Sequence, residues 1–313
     1  MWPPFPGLRK ALYGLFAVLI LSFSVESQRG YFVEMNFKVT TLCENNIGHG
    51  SKNLIGEHGL SFYVEANDRR ILFDTGQNLA LSNNAEVLGI DLSRIDTVVL
   101  SHGHYDHSSG LKTLLNCNTD FTLCAHADVF SPKVKGAGDS HKYIGIPVDR
   151  NALEQKGVKI KLDKDPSQIA PGITTTGTIP LSNEFEAVES DFYLKNGDDF
   201  TADTLADDRA LILDTKKGLV VLLGCSHRGV INTLNHITQI TGRNTIHAIL
   251  GGLHLGKASD AKLEKIVDHL RAFELDKIGV GHCTGPKAFV ALANAFGDKA
   301  FLNTVGNVME FYD

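Results

Sequence analysis

The stretch Thr97–Leu111, TVVLSHGHYDHSSGL, decides how the rest of the chain is read. TVVL is a short β-branched run of the kind that forms a strand buried on both faces. His102, His104, Asp106 and His107 follow at once, in the pattern H-x-H-x-D-H. Imidazole nitrogen suits zinc and similar borderline metals, and a carboxylate adds charge. Alternate residues of an extended segment point the same way, so His102 and His104 can grip one ion together. Asp106 and His107 fall where the chain turns into a helix and can address a second ion close by. Gly103 leaves room for the backbone to bend. A solvated histidine-rich loop is the bland alternative, but four ligand-type side chains directly after a buried strand argue for metal. The helix expected next would be capped by Ser108 or Ser109, with Leu111, Leu114 and Leu115 on one face.

Upstream, FKVTTLC (37–43), LSFYVEA (60–66) and RILFD (70–74) read as strands, with AND (66–68) as a turn. Downstream, residues 118–205 are less regular. They hold strand candidates FTLCAH (121–126) and VKIKL (158–162) among loops rich in Gly, Asp, Lys and Pro. Such a segment is expected either to face substrate or to be a surface insertion. Order returns with RALILDT (209–215) and GLVVLLG (218–224), a hairpin around KKG. A helix over 228–242 carries Val230, Ile231, Leu234 and Ile237 on one face and stops at Gly242. The strand IHAILGG, a serine-capped helix over 259–273 and the strand DKIGVGH come next. Thr284 and Pro286 open a last helix, and VMEFYD forms an edge strand. Each half runs strands first and strand–helix units later. That order predicts an α/β protein, an αββα sandwich of two mixed sheets with outer helices, over a doubly wound parallel sheet.

A formal net charge of -6 makes no electrostatic case for nucleic acid. Neither G-x-S-x-G nor a Walker loop occurs. In residues 1–30, Arg9 and Lys10 precede an apolar run from Ala11 to Val25, which reads as a signal peptide or an N-terminal anchor. The protein is then exported or membrane-anchored, with residues 31–313 as one domain. Translation from Met35 would instead leave it cytoplasmic. The five cysteines include no CxxC and imply no disulfide framework. Free thiols fit a reducing compartment better, which conflicts with the leader.

LSHGHYDHSSGL resembles the signature of the metallo-β-lactamase superfamily, and ILFDTG, with Asp74, resembles its first motif. The resemblance runs over about 37 to 313. DDRALILDTKKGLVVLLGCSHRGVINTL, ILGGLHL and GVGHCTG bring the chain nearer to a subgroup labelled 7,8-dihydropterin-6-methyl-4-(β-D-ribofuranosyl)aminobenzene-5′-phosphate synthase-like. It implies metal ligation by His102, His104, Asp106, His107 and His282, with Asp74 supporting the metal loop. It also implies a mid-chain histidine, where TTTGTIPLSNEFE places Thr178, and a bridging aspartate, where VVLLGCSH offers Cys225. Thiolate is a good zinc ligand, and His227, two residues on, could replace the missing histidine. His254 is expected to contact substrate or the transition state, or else to be a core histidine. Cys283 is expected to pack away from the site. Asp208 is expected to accept a hydrogen bond from a ligand histidine. His49, His126 and His141 read as solvated, and His58 as able to reach the rim.

The implied chemistry is that of a metal-dependent hydrolase. Two zinc ions, or manganese or iron, would activate water against a small ester, lactone, amide or phosphoester. Asp106 would orient the water and act as base, and His254 or a backbone N–H near Gly252 would stabilise the developing anion. A pterin-linked transferase and a metal-binding protein without turnover are the alternatives. The expected partner is a small-molecule substrate, with membrane contact only through the N-terminal segment; oligomeric state stays open.

Overall fold

The computed structural model describes residues 36–312. The expected leader over 1–30 and the alternative start at Met35 lie outside them. The first half of the chain forms β1 (Phe37–Cys43), β2 (Ser61–Ala66), β3 (Arg69–Phe73), α1 (Ala80–Val87), β4 (Thr97–Val99), α2 (Tyr105–Ser108), α3 (Leu111–Leu114) and β5 (Thr122–His126). The middle forms β6 (Lys133–Lys135), β7 (Lys142–Tyr143), α4 (Arg150–Gln155), β8 (Lys159–Asp163), β9 (Ser167–Ala170), β10 (Ile173–Thr175), β11 (Phe192–Asn196) and β12 (Asp199–Ala202). The last part forms β13 (Ala210–Thr215), β14 (Gly218–Leu223), α5 (Val230–Thr241), β15 (Thr245–Gly251), α6 (Asp260–Leu270), β16 (Glu274–Val280), α7 (Pro286–Phe296), β17 (Ala300–Leu302) and β18 (Val308–Phe311).

Two seven-stranded mixed sheets face each other, in the orders β18-β1-β2-β3-β4-β5-β8 and β17-β16-β15-β14-β13-β10-β9. Between them lies an apolar layer that includes Phe37, Phe62, Phe73, Leu211, Val220 and Leu250. Leu81, Leu111 and Leu153 pack helices on the outer face of the first sheet, and Ile231, Leu263 and Leu292 do so on the second. Each fully buried Leu, Ile or Phe adds about 1.5–3 kcal/mol relative to exposure. This is the αββα sandwich that the element order predicts. Ser259 caps α6 by accepting from the Lys262 N–H, Gly242 ends α5 in the left-handed region, and Pro286 opens α7.

Two expectations need correction. The helix after the motif is broken into α2 and α3, and neither Ser108 nor Ser109 caps it; Gly110 sits at the cap position. A Cβ on Gly110 would stand 1.9 Å from the Thr75 carbonyl oxygen, so the chain is pressed against the end of β3 where a continuous helix would pass. The middle is also more regular than expected. β6, β7, β11 and β12 build a four-stranded antiparallel sheet, and β9 and β10 complete the edge of the second large sheet. Their strands are short and half-exposed, so hydrophobic alternation barely registers in them.

The parallel strands β3, β4 and β5 of one sheet, and β14, β15 and β16 of the other, send their C-terminal ends into the loops that matter below. Asp74, Ser226, His254 and His282 follow those ends with φ of 61°, 57°, 49° and 50°. A non-glycine residue held there costs on the order of 1 kcal/mol or more, and such positions concentrate at functional sites. Among the described residues no helix is long and apolar enough to cross a membrane.

Candidate metal centre

His102 is fully buried at the end of β4, and its Nε2 faces His104 Nδ1 at 3.0 Å. The loop after β14 brings His227 against both rings, with centroids 4.8 and 4.9 Å away. Donor atoms of His102, His104 and His227 lie within 4.8 Å of one another. A second set comprises His58, Asp106 and His282, where Asp106 Oδ2 is 3.2 Å from His58 Nε2 and 3.4 Å from His282 Nε2. His107 and Cys225 stand between the two. His107 Nε2 is 3.1 Å from Cys225 Sγ and 3.2 Å from His282 Nε2. His102, His107 and Cys225 also form a donor group of their own.

The surrounding residues aim these donors. Asp74 Oδ2 accepts from His107 Nδ1 and from the Ser101 hydroxyl, while Oδ1 accepts from the Ser101 N–H. Ser101 Oγ in turn lies 2.9 Å from His102 Nδ1. His102 and His107 thus spend Nδ1–H on this network and turn Nε2 to the site. Asn45 Oδ1, 3.0 Å from His282 Nδ1, does the same for His282. Asp207 Oδ2 accepts the Gly103 N–H at 2.8 Å, and Asp207 itself is paired with the buried Lys133. Composition alone carried no signal for Asn45, Ser101 or Asp207.

Burial pushes the His102 and His227 pKa values well down and that of His104 to about 3, so all three imidazoles are neutral donors near pH 7. Burial also opposes charge on His107, but Asp74 and Asp106 override it and raise the pKa to about 9. Burial likewise disfavours charge on Asp106, yet His107, His282 and His58 hold its carboxyl well below the usual range. The carboxylates therefore create a potential that favours cations. His104 Nε2 and His227 Nε2 are buried with no hydrogen-bond partner among the described residues. Imidazole nitrogens of His102, His104 and His227 within 4.8 Å of one another, with a carboxylate and a thiol close by in an anionic potential, fit a metal ion of the zinc class.

A cavity of about 280 Å³ opens above the donors and is bordered by Tyr105, Ile144, Glu189, Phe192, His254 and Lys257 among others. Phe192, from the small sheet, packs on His104 and His227 at 5.3 Å between centroids. His254 lies on the cavity wall, with Nε2 3.6 Å from Glu189 Oε1.

The structure redirects several expectations. Thr178 is bonded to His126 Nε2 at 2.9 Å and gives no donor to the site, and His227, the replacement that the sequence offers, stands beside His102 and His104. His126 is consequently buried, while His49 and His141 are exposed or partly so. Asp208 accepts from the Arg228 N–H, not from a histidine, because its carboxyl faces the turn after β14. The Gly252 N–H is spent on the Gly224 carbonyl and the Leu253 N–H on Thr284, so neither serves an anion. Cys283 does not point away: it borders the cavity and shares a donor group with Cys225 and His254.

Fold and site together define an αββα sandwich with a histidine-rich candidate metal centre at the C-terminal edge of its strands. The chain belongs to the metallo-beta-lactamase superfamily, whose family model matches residues 54–282. It is 30% identical over 292 residues to 7,8-dihydropterin-6-methyl-4-(beta-D-ribofuranosyl)-aminobenzene-5'-phosphate synthase of Methanocaldococcus jannaschii, covering 88% of this chain and 97% of that one. An uncharacterised protein of the same organism is 34% identical, covering 77% and 90% respectively. The crystal structure of Tm1679, a metal-dependent hydrolase of the beta-lactamase superfamily, is similar with a TM-score of 0.76 and 30% identity, covering 88% of this chain and 100% of that one.

Proposed function

We propose that this chain is a dinuclear metal-dependent enzyme that hydrolyses a small ester, lactone, amide or phosphoester. The observation that carries the reading is the junction at His107 and Cys225, 3.1 Å apart, between the His102/His104/His227 set and the Asp106/His282 pair. His102, His104 and His227 would hold one ion and Asp106 and His282 a second, with His107 and Cys225 available between them. When bound, ions of the zinc class polarise a carbonyl or phosphoryl electrophile and lower the pKa of a water at the site.

The remaining roles belong to the chain's own residues. Asp106 Oδ2, held between His58 and His282, orients the attacking water and takes up its proton. His254 presents an N–H donor from the cavity wall toward the anion that develops on the electrophile, with Glu189 supporting its charged form. Phe192 and Ile144 exclude bulk water, and at the rim Lys135 and Lys257 are paired with Asp191 and Glu189. Tm1679, named as a metal-dependent hydrolase, supports this reading.

A second reading has its own support. The synthase relative is matched over 97% of its length, so a transferase that forms a pterin-linked ribofuranosylaminobenzene phosphate would use the same centre. The test is one preparation, stripped with chelator and reloaded with zinc or manganese, assayed on a hydrolase panel and with an activated dihydropterin plus a ribofuranosylaminobenzene phosphate. Metal-restored hydrolysis, absent in His104→Ala, is expected. Formation of the pterin-linked product without hydrolysis would replace the first reading with the second. Full metal loading with neither product would leave a binding protein.

A further inference from the structure

We propose that Cys283 is a metal ligand that, with Cys225 and His254, forms a thiolate-rich donor set for a thiophilic ion beside the histidine–aspartate centre. Their donor atoms lie within 4.8 Å of one another, and all three residues border the cavity. The set shares Cys225 with the His102/His107 group, and His254 packs on His227 with ring centroids 4.2 Å apart.

The local backbone is shaped around this grouping. Gly252 passes so close that a Cβ there would stand 2.6 Å from Cys283 Sγ, so glycine makes room for the sulfur. Cys283 Sγ lies 3.7 Å from the Cys225 carbonyl oxygen, a long contact, and has the Cys225 thiol and the His254 imidazole as its side-chain partners. His254 is fixed in the left-handed region, its Nε2 directed at Glu189. Its Nδ1 is buried with no hydrogen-bond partner among the described residues. A carboxylate on one imidazole nitrogen with the other left bare is the arrangement that supports histidine as a metal ligand.

Two cysteines and a histidine suit zinc in a site with three protein ligands and an open position. Thiolates also raise the preference for soft ions over magnesium or manganese. Each thiol gives up its proton to solvent as the sulfur–metal bond forms, and no redox change is involved. The Cys225 sulfur can be shared between this ion and the neighbouring centre. With an ion bound here, His254 would no longer offer its N–H to the developing anion, and the ion on the cavity wall would supply that positive charge instead.

The inference rests on the metal-centre reading through the shared Cys225 and the His254–His227 contact, and cobalt titration of chelator-treated full-length protein separates the two. Wild type should show sulfur-to-cobalt charge-transfer absorption from both cysteines. Cys283→Ser should remove about half of that intensity, and His254→Asn should weaken cobalt binding in the same band. His104→Ala tests the other centre and should lower ions per chain while keeping the charge-transfer band. Unchanged band intensity in Cys283→Ser overturns the proposal, whatever His104→Ala does. Should Cys283→Ser fail to fold, cadmium-113 resonances of the wild type decide: a two-sulfur environment is expected, and only one-sulfur or sulfur-free environments overturn it.

Discussion

Asp74 Oδ2 lies 2.7 Å from His107 Nδ1, and through Ser101 the same carboxylate reaches His102. One fully buried side chain at the end of β3 therefore sets the tautomer of two donors that follow β4. Asp74→Asn offers an amide in place of the carboxylate and can no longer accept from both partners at once. Metal affinity should fall about 10–100-fold, the usual cost of losing such a partner. Competition with a chelator of known affinity measures it. An unchanged affinity would mean the two histidines are held by packing alone.

His227 and Thr178 make a matched pair for testing which residue supplies the mid-chain donor. His227→Ala should lower metal content per chain, whereas Thr178→Ala should leave it as in the wild type and affect only the hydroxyl's contacts with His126 and the Lys164 carbonyl. Mass spectrometry of the native protein gives the stoichiometry directly. Metal loss in the threonine variant would reverse the assignment.

Lys133 is buried against Asp203 and Asp207 at 2.8 Å each. Lys133→Met leaves two carboxylates without their cation in a dry site, and breaking such a pair costs about 3–5 kcal/mol. Urea unfolding should show this. Because Asp207 holds the Gly103 N–H, metal affinity should weaken too. Stability within about 0.5 kcal/mol of wild type would show the cluster to be well hydrated.

Burial pushes the Asp208 carboxyl up to about 7, against the opposing Arg228 N–H and with some help from Asp207. The folded state therefore binds this proton more tightly than the unfolded chain, whose aspartate titrates near pH 4. Its stabilising contribution is complete below about pH 4 and is lost as pH rises through about 7. Asp208→Asn does not titrate. In chelated protein, the stability of that variant relative to wild type should climb between these limits and level off above neutrality. Thermal unfolding across pH 4 to 8 tests this, and parallel curves for the two proteins would refute the shift.

Much of this was legible before any coordinates. The strand ends at Asp74 and His102 follow from β-branched runs and motif spacing, because buried strands carry a dense apolar signal. The outer helices follow from caps at Ser259 and Pro286 and from 3.6-residue periodicity. What escaped was long-range. The GCSH stretch offers Cys225 and His227 as donors, but spacing does not tell which ring or carboxylate each one meets, since that depends on how β14 stacks beside β4's loop. Asn45 is a single polar residue in a loop, and only its meeting with His282 gives it a purpose. Cys283 was misplaced because strand alternation ends at Val280, and the left-handed turn at His282 redirects the next side chain.

The Lys133 cluster has one more consequence. Lys133 opens β6, and Asp203 directly follows β12, so the two ends of the small sheet meet in a single ion pair. That pair continues through Asp207 into the loop bearing His102 and His104. Phe192, within the same sheet, is the wall that substrate would meet. Substrate range could thus diversify by replacing the tips of these hairpins, far from every donor atom, without disturbing the ions. Any change at the root, by contrast, would be transmitted to both. Variation among descendants of this scaffold should accordingly concentrate in the hairpin tips and spare Lys133, Asp203 and Asp207.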